Sequence, residues 1–126
     1  MLDESGSIGE SNFNRTKSFL SNLTGHLDID SGNTHVGLIT FSDRVTERFS
    51  LTTHSTVDSV QNAILSLSYS KGKTDTAAAL SYVETKMLTS AAGDRPDVPN
   101  VIILLTDGES HDETATLVSN QLYISI

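Results

Sequence analysis

The chain has no cysteine. No disulfide framework can brace it, and redox usage says nothing about its compartment. Basic residues are scarce: 8 Lys and Arg stand against 16 Asp and Glu, a formal net charge of −8. A nucleic-acid surface needs clustered Lys and Arg, so nucleic acid is not the expected partner. The acidity suits attraction of divalent cations, although its commoner role is solubility. No apolar run approaches the roughly 18 residues of a membrane span, so no membrane insertion is expected. No apolar leader is visible either, because Met1-Leu2 runs at once into Asp3. The four histidines (His26, His35, His54, His111) lack a metal-ligand spacing and read as loop or surface residues, with His111, close after Asp107, nearest any site there.

What is present suits one globular domain over residues 1–126, with 37% hydrophobic residues and room for a single core. Residues 11–27 read as an amphipathic helix, with Phe13, Leu20, Leu23 and Leu27 on one face and Gly25 weakening the last turn. Residues 36–41 are largely apolar and β-forming, as in a strand covered on both faces. Residues 44–51 alternate Val45, Glu47, Phe49 and Leu51 with polar neighbours, which predicts a half-exposed edge strand after a Ser42-Asp43 turn.

Ser55 is the expected N-cap of a second helix, with Asp58 in the capping-box position and Val57, Val60, Ile64 and Leu67 as its buried stripe. A third helix is expected from about residue 76 to 88, carried by Ala79, Leu80, Val83 and Met87. Residues 92–100, with both prolines, form a surface connection to a central strand at 101–106. A short helix at 114–120 and a strand at 122–126 close the chain, and acidic Glu109, Asp112 and Glu113 read as solvated surface. Strands alternating with helices predict an α/β, doubly wound, mostly parallel sheet with helices on both faces and one antiparallel edge strand. Ligands in such sheets bind at the carboxyl ends of the strands.

Three separated stretches carry oxygen donors: Asp3-x-Ser5-x-Ser7, Gly72-Lys73-Thr74 and Thr106-Asp107-Gly108. Asp3 and Asp107 supply two carboxylates, and Ser5, Ser7 and Thr74 supply three neutral hydroxyls. That set suits Mg2+, with Mn2+ or Ca2+ as alternatives, better than zinc or copper. Two carboxylates roughly cancel the ion's charge, and weak hydroxyl donors leave it wanting one more oxygen. A carboxylate of another protein is the natural candidate. Each piece has a plainer reading. Asp3, Ser5 and Ser7 could cap a helix, Asp107-Gly108 could be an ordinary strand-end turn, and Thr74 could be a cap.

Two enzymatic readings fit less well. A phosphate-binding loop would need glycine five residues before Gly72, where Leu67 stands. An aspartyl nucleophile at Asp107 in Mg2+-dependent phosphoryl transfer would want a second aspartate in the first motif, and Ser5 and Ser7 stand there instead.

The three motifs, in this order, resemble the metal-ion-dependent adhesion site of von Willebrand factor type A domains. Ser5-Gly6-Ser7-Ile8-Gly9 with Asn12-Phe13, residues 36–42, and Arg95-Pro96-Asp97-Val98-Pro99-Asn100 leading into residues 101–108 extend the likeness along nearly the whole chain. The resemblance implies a Rossmann-like fold, a binding module without catalytic activity, and metal held by Asp3, Ser5, Ser7, Thr74 and Asp107. It further implies an acidic partner residue closing the coordination sphere and an extracellular matrix or cell-surface setting, as in collagens and matrilins. A matrix module that binds without metal, or an intracellular relative, are the alternatives. The family has a hydrophobic central strand before the first motif, where only Met1-Leu2 stands, and further elements beyond Ile126. By that comparison the domain is truncated at both ends, and the chain alone is expected to be poorly stable, since unpaired buried backbone groups cost about 1–3 kcal/mol each.

Overall fold

The computed structural model describes residues 1–107. The helix and strand expected at 114–120 and 122–126, His111 and the acidic residues after Asp107 lie outside the described residues. Among those described, the strands are β1 (Leu2–Asp3), β2 (Leu38–Phe41) and β3 (Val45–Phe49), in that order across the sheet. The helices are α1 (Glu10–Thr24), α2 (Val57–Leu65) and α3 (Thr76–Tyr82), the last continued by a π-helical turn, Val83–Met87. β1 pairs with β2 in parallel, and β2 with β3 antiparallel. On its other side β1 meets Leu105 in a parallel bridge. The expected mixed α/β sheet is therefore present.

Residues 101–106 were expected to be a full central strand; among the described residues it is Leu105 that is seen bridged, to Leu2. Among the described residues the stretch pairs with the short β1: Met1 N donates to Ile103 O (2.7 Å), Leu105 N to Met1 O (3.0 Å) and Asp3 N to Leu105 O (2.9 Å). Its side chains still alternate as in a strand. Ile103 and Leu105 pack with α1 and α2, whereas Ile102 and Leu104 pack on the opposite face with α3. The same alternation splits β2, with Leu38 facing α1 and α2, and Ile39 and Phe41 facing α3. Phe13 from α1 is fully buried in the first layer, a burial worth about 1.5–3 kcal/mol.

Three local expectations shift. α1 stops at Thr24, before Leu27, because the chain turns off at Gly25. The N-cap of α2 is Thr56 and not Ser55: its hydroxyl accepts Ser59 N–H (3.2 Å), while Asp30 takes the first helical N–H, that of Val57 (2.8 Å), and so sets the start. The alternation along β3 breaks at a bulge. Leu38 pairs with Phe49 but Ile39 pairs with Glu47, leaving Arg48 as the extra residue. Val45 therefore packs towards α3 and Phe49 towards α1 and α2, on opposite faces.

Candidate metal centre

Asp3 ends β1, so the parallel pairing of β1 with β2 and with Leu105 carries it to the carboxyl-end edge of the sheet. It is fully buried, and both of its oxygens are engaged. Oδ1 accepts Ser5 N–H (2.8 Å) and Oδ2 accepts the Thr106 hydroxyl (2.7 Å), which joins the first motif to the third. Asp107, the next residue, is exposed at the same edge. The second motif is drawn in by backbone: Gly6 N–H donates to Gly72 O at 2.8 Å. Thr74, two residues on, is buried, and α3 starts just beyond it under an N-cap from Asp75, which accepts Ala78 N–H (2.9 Å).

The hydroxyls can be tested against an ion. Ser5 Oγ and Ser7 Oγ lie 3.1 Å apart and share a hydrogen bond. An octahedral ion with bonds of about 2.1 Å sets neighbouring ligands about 3.0 Å apart, so both could ligate one Mg2+ with little movement. Ser5 is buried and Ser7 exposed. No hydrogen bond among the described residues engages the Thr74 hydroxyl. Asp3 already accepts two hydrogen bonds, which suits a carboxylate that reaches the ion through water. With two carboxylates present, no cluster of three His, Cys, Asp or Glu residues occurs among the described residues. Among those same residues, Asp3, Ser7, Thr106 and Asp107 border a cleft of about 430 Å³ whose remaining wall includes Leu2, Ile8 and Phe19.

His26, His35 and His54 stand elsewhere. His54 packs edge-on against Phe49 with ring centroids 4.9 Å apart.

Glu4, Thr40, Arg48 and Tyr69 escape the motif reading, and Thr106 enters it only as a neighbour of Asp107. Glu4, between Asp3 and Ser5, is buried and paired with Arg48 (3.1 Å), while Thr40 donates to its other oxygen (3.1 Å). The Tyr69 hydroxyl donates to Ser5 O (2.7 Å) and accepts Gly9 N–H (3.1 Å), so one side chain ties the loop at both ends. Its ring packs on Phe13 at 5.1 Å. Tyr69→Phe keeps that packing and strips both bonds, so about 1–3 kcal/mol of stability should be lost in urea denaturation. No measurable change would mean that water satisfies the loop. Thr106 completes the group through Asp3. A hydroxyl run such as Ser68-Tyr69-Ser70 carries no sequence signal for this role. Only the closeness of Thr106 to Asp107 could have drawn notice.

The von Willebrand factor type A domain model matches residues 1–123. The chain is 39% identical over 124 residues to the collagen alpha-4(VI) chain of Mus musculus, covering 97% of this chain and 5% of that one. It is 35% identical over 115 residues to von Willebrand factor A domain-containing protein 2 of Mus musculus, covering 91% of this chain and 14% of the relative. It thus spans a small part of the relatives it matches. Among solved structures, proximal thread matrix protein 1 from the mussel byssus has a TM-score of 0.82 at 26% identity, covering 88% of this chain and 30% of that one. A further structure of that mussel protein, at a TM-score of 0.80, has a zinc-occupied MIDAS motif. On a family match along almost its entire length and a shared fold, the chain belongs to the von Willebrand factor type A domain family.

Proposed function

We propose that residues 1–126 form a divalent-cation-dependent protein-binding module with no catalytic step. The observation that carries this reading is the meeting of three distant stretches at one sheet edge, through Thr106 on Asp3 and Gly72 on Gly6. Ser5, Ser7 and Thr74 would hold Mg2+ through their hydroxyls, and Asp3 and Asp107 would hold it directly or through water. Mn2+ or Ca2+ could replace it, and the zinc of the mussel protein supports a divalent ion in a related site. The bound ion would supply an electrophilic corner for a glutamate or aspartate of the partner. The collagen relatives and the thread matrix protein support a matrix or cell-surface partner and an extracellular setting.

Thr74→Ala is the clean test, since Asp3→Ala would also remove the acceptor of Ser5 N–H and of the Thr106 hydroxyl. Removing the Thr74 hydroxyl should weaken Mg2+ and Mn2+ binding at least tenfold by calorimetry, with folding in EDTA intact. Equal heats from the variant and the unaltered chain would refute the assignment.

A further inference from the structure

The loop that carries Thr74 is held by one peptide group. The C=O of Gly72 and the N–H of Lys73 belong to the same plane, and each end has a partner from a different loop. Gly72 O accepts Gly6 N–H at 2.8 Å, and Lys73 N–H donates to Asp43 Oδ1 at 2.7 Å. Asp43 lies just past the end of β2, in a turn closed by Ser42 N–H on Arg44 O (3.0 Å). The fit is close. A Cβ added at Gly72 would lie 2.9 Å from Asp43 Oδ2 and 3.0 Å from Ser42 Oγ, so a side chain there would displace the Asp43 carboxylate from its present place. Thr74 follows immediately, fixed on its other side by the Asp75 cap of α3.

We propose that Asp43 is a positioning residue for the metal centre, setting where the Thr74 hydroxyl stands by orienting the Gly72–Lys73 peptide. This rests on the reading of Thr74 as a ligand. The carboxylate ligates nothing in this scheme. It takes up the end of the peptide plane opposite Gly6, so that the first motif and the β2 turn together prevent the plane from rotating. A rotated plane would move Thr74 away from the first motif, which Gly72 holds through Gly6. Partners that position ligands from behind typically alter metal affinity by about 10–100-fold when removed.

The test compares Asp43→Ala with Asp43→Asn in the 126-residue chain, titrated with Mg2+ and with Mn2+ in a calorimeter. Alanine should weaken both ions about tenfold or more. Asparagine, which loses the charge but keeps an oxygen for Lys73 N–H, should restore most of the affinity. Lys73 amide exchange, measured without metal, should speed up in the alanine variant and stay slow in the asparagine variant. Wild-type affinity in Asp43→Ala would overturn the proposal. Equal losses in both variants would also overturn it, because they would trace the effect to charge and not to the hydrogen bond. An unaltered chain that is folded by circular dichroism and gives no heat with either ion would instead overturn the metal reading, and this proposal with it.

Discussion

Arg48→Ala is expected to cost about 3–5 kcal/mol of folding free energy, the usual effect of removing one partner of a buried ion pair. The Glu4 side chain is 2% exposed and that of Arg48 27% exposed, so the carboxylate is the member that cannot return to water. Without the guanidinium, Glu4 retains among the described residues only the Thr40 hydroxyl, and Thr40 itself loses the Arg48 Nε donor at 2.7 Å. Urea denaturation in EDTA would measure the loss. The pair itself need not stabilise the fold much, since desolvation offsets most of the attraction. Glu4→Gln combined with Arg48→Met should therefore recover most of what the single change removes. A loss under about 1 kcal/mol in Arg48→Ala would show that the pair behaves as a solvated surface bridge.

In a polypeptide made to start at Met1, acetylating the Met1 amine should abolish a pH dependence of comparable size. Burial lowers the Met1 ammonium from 8.0 to about 5, although the group donates to Ile103 O. Three units at about 1.36 kcal/mol each give on the order of 4 kcal/mol. The sign follows from proton binding. Between pH 5 and 8 the unfolded chain holds this proton and the folded chain does not, so stability rises with pH through that window. Above 8 both states are neutral and the cost vanishes; below 5 both are charged and it is complete. Acetylation keeps an N–H for Ile103 while removing the charge, so the slope should flatten and stability near pH 5 should increase. Met1 also borders a cavity of about 450 Å³, and a flat profile in the unmodified chain would mean that water there hydrates the amine.

Both effects concern the strand that delivers Asp3, and both were hidden from a linear reading. Glu4 looked like the variable position of Asp3-x-Ser5, and Arg48 like one polar residue of an alternating edge strand. The bulge is what turns Arg48 towards Thr40 and Glu4, and a bulge depends on how two strands pair. The start of α2 moved from Ser55 to Thr56 for a related reason, because Asp30 reaches across from another loop to take the Val57 N–H. Element types were more legible than their ends. The stripe of Phe13 and Leu20, and that of Val60 and Ile64, need only a helical period to be seen.

The sequence alone determined the chemistry on offer: two carboxylates, three hydroxyls, their order, and an α/β chain able to bring strand ends to one edge. Those features are local, residing in residue type and in spacing over a few positions. Tertiary structure alone decided which groups hold the donors still, from Tyr69 across Ser5 and Gly9, to Asp43 on Lys73 and Arg48 on Glu4. Each of those contacts joins residues 30 or more positions apart, and a hydrogen bond of about 3 Å is fixed by how sheets and helices pack, for which neighbouring letters carry no record.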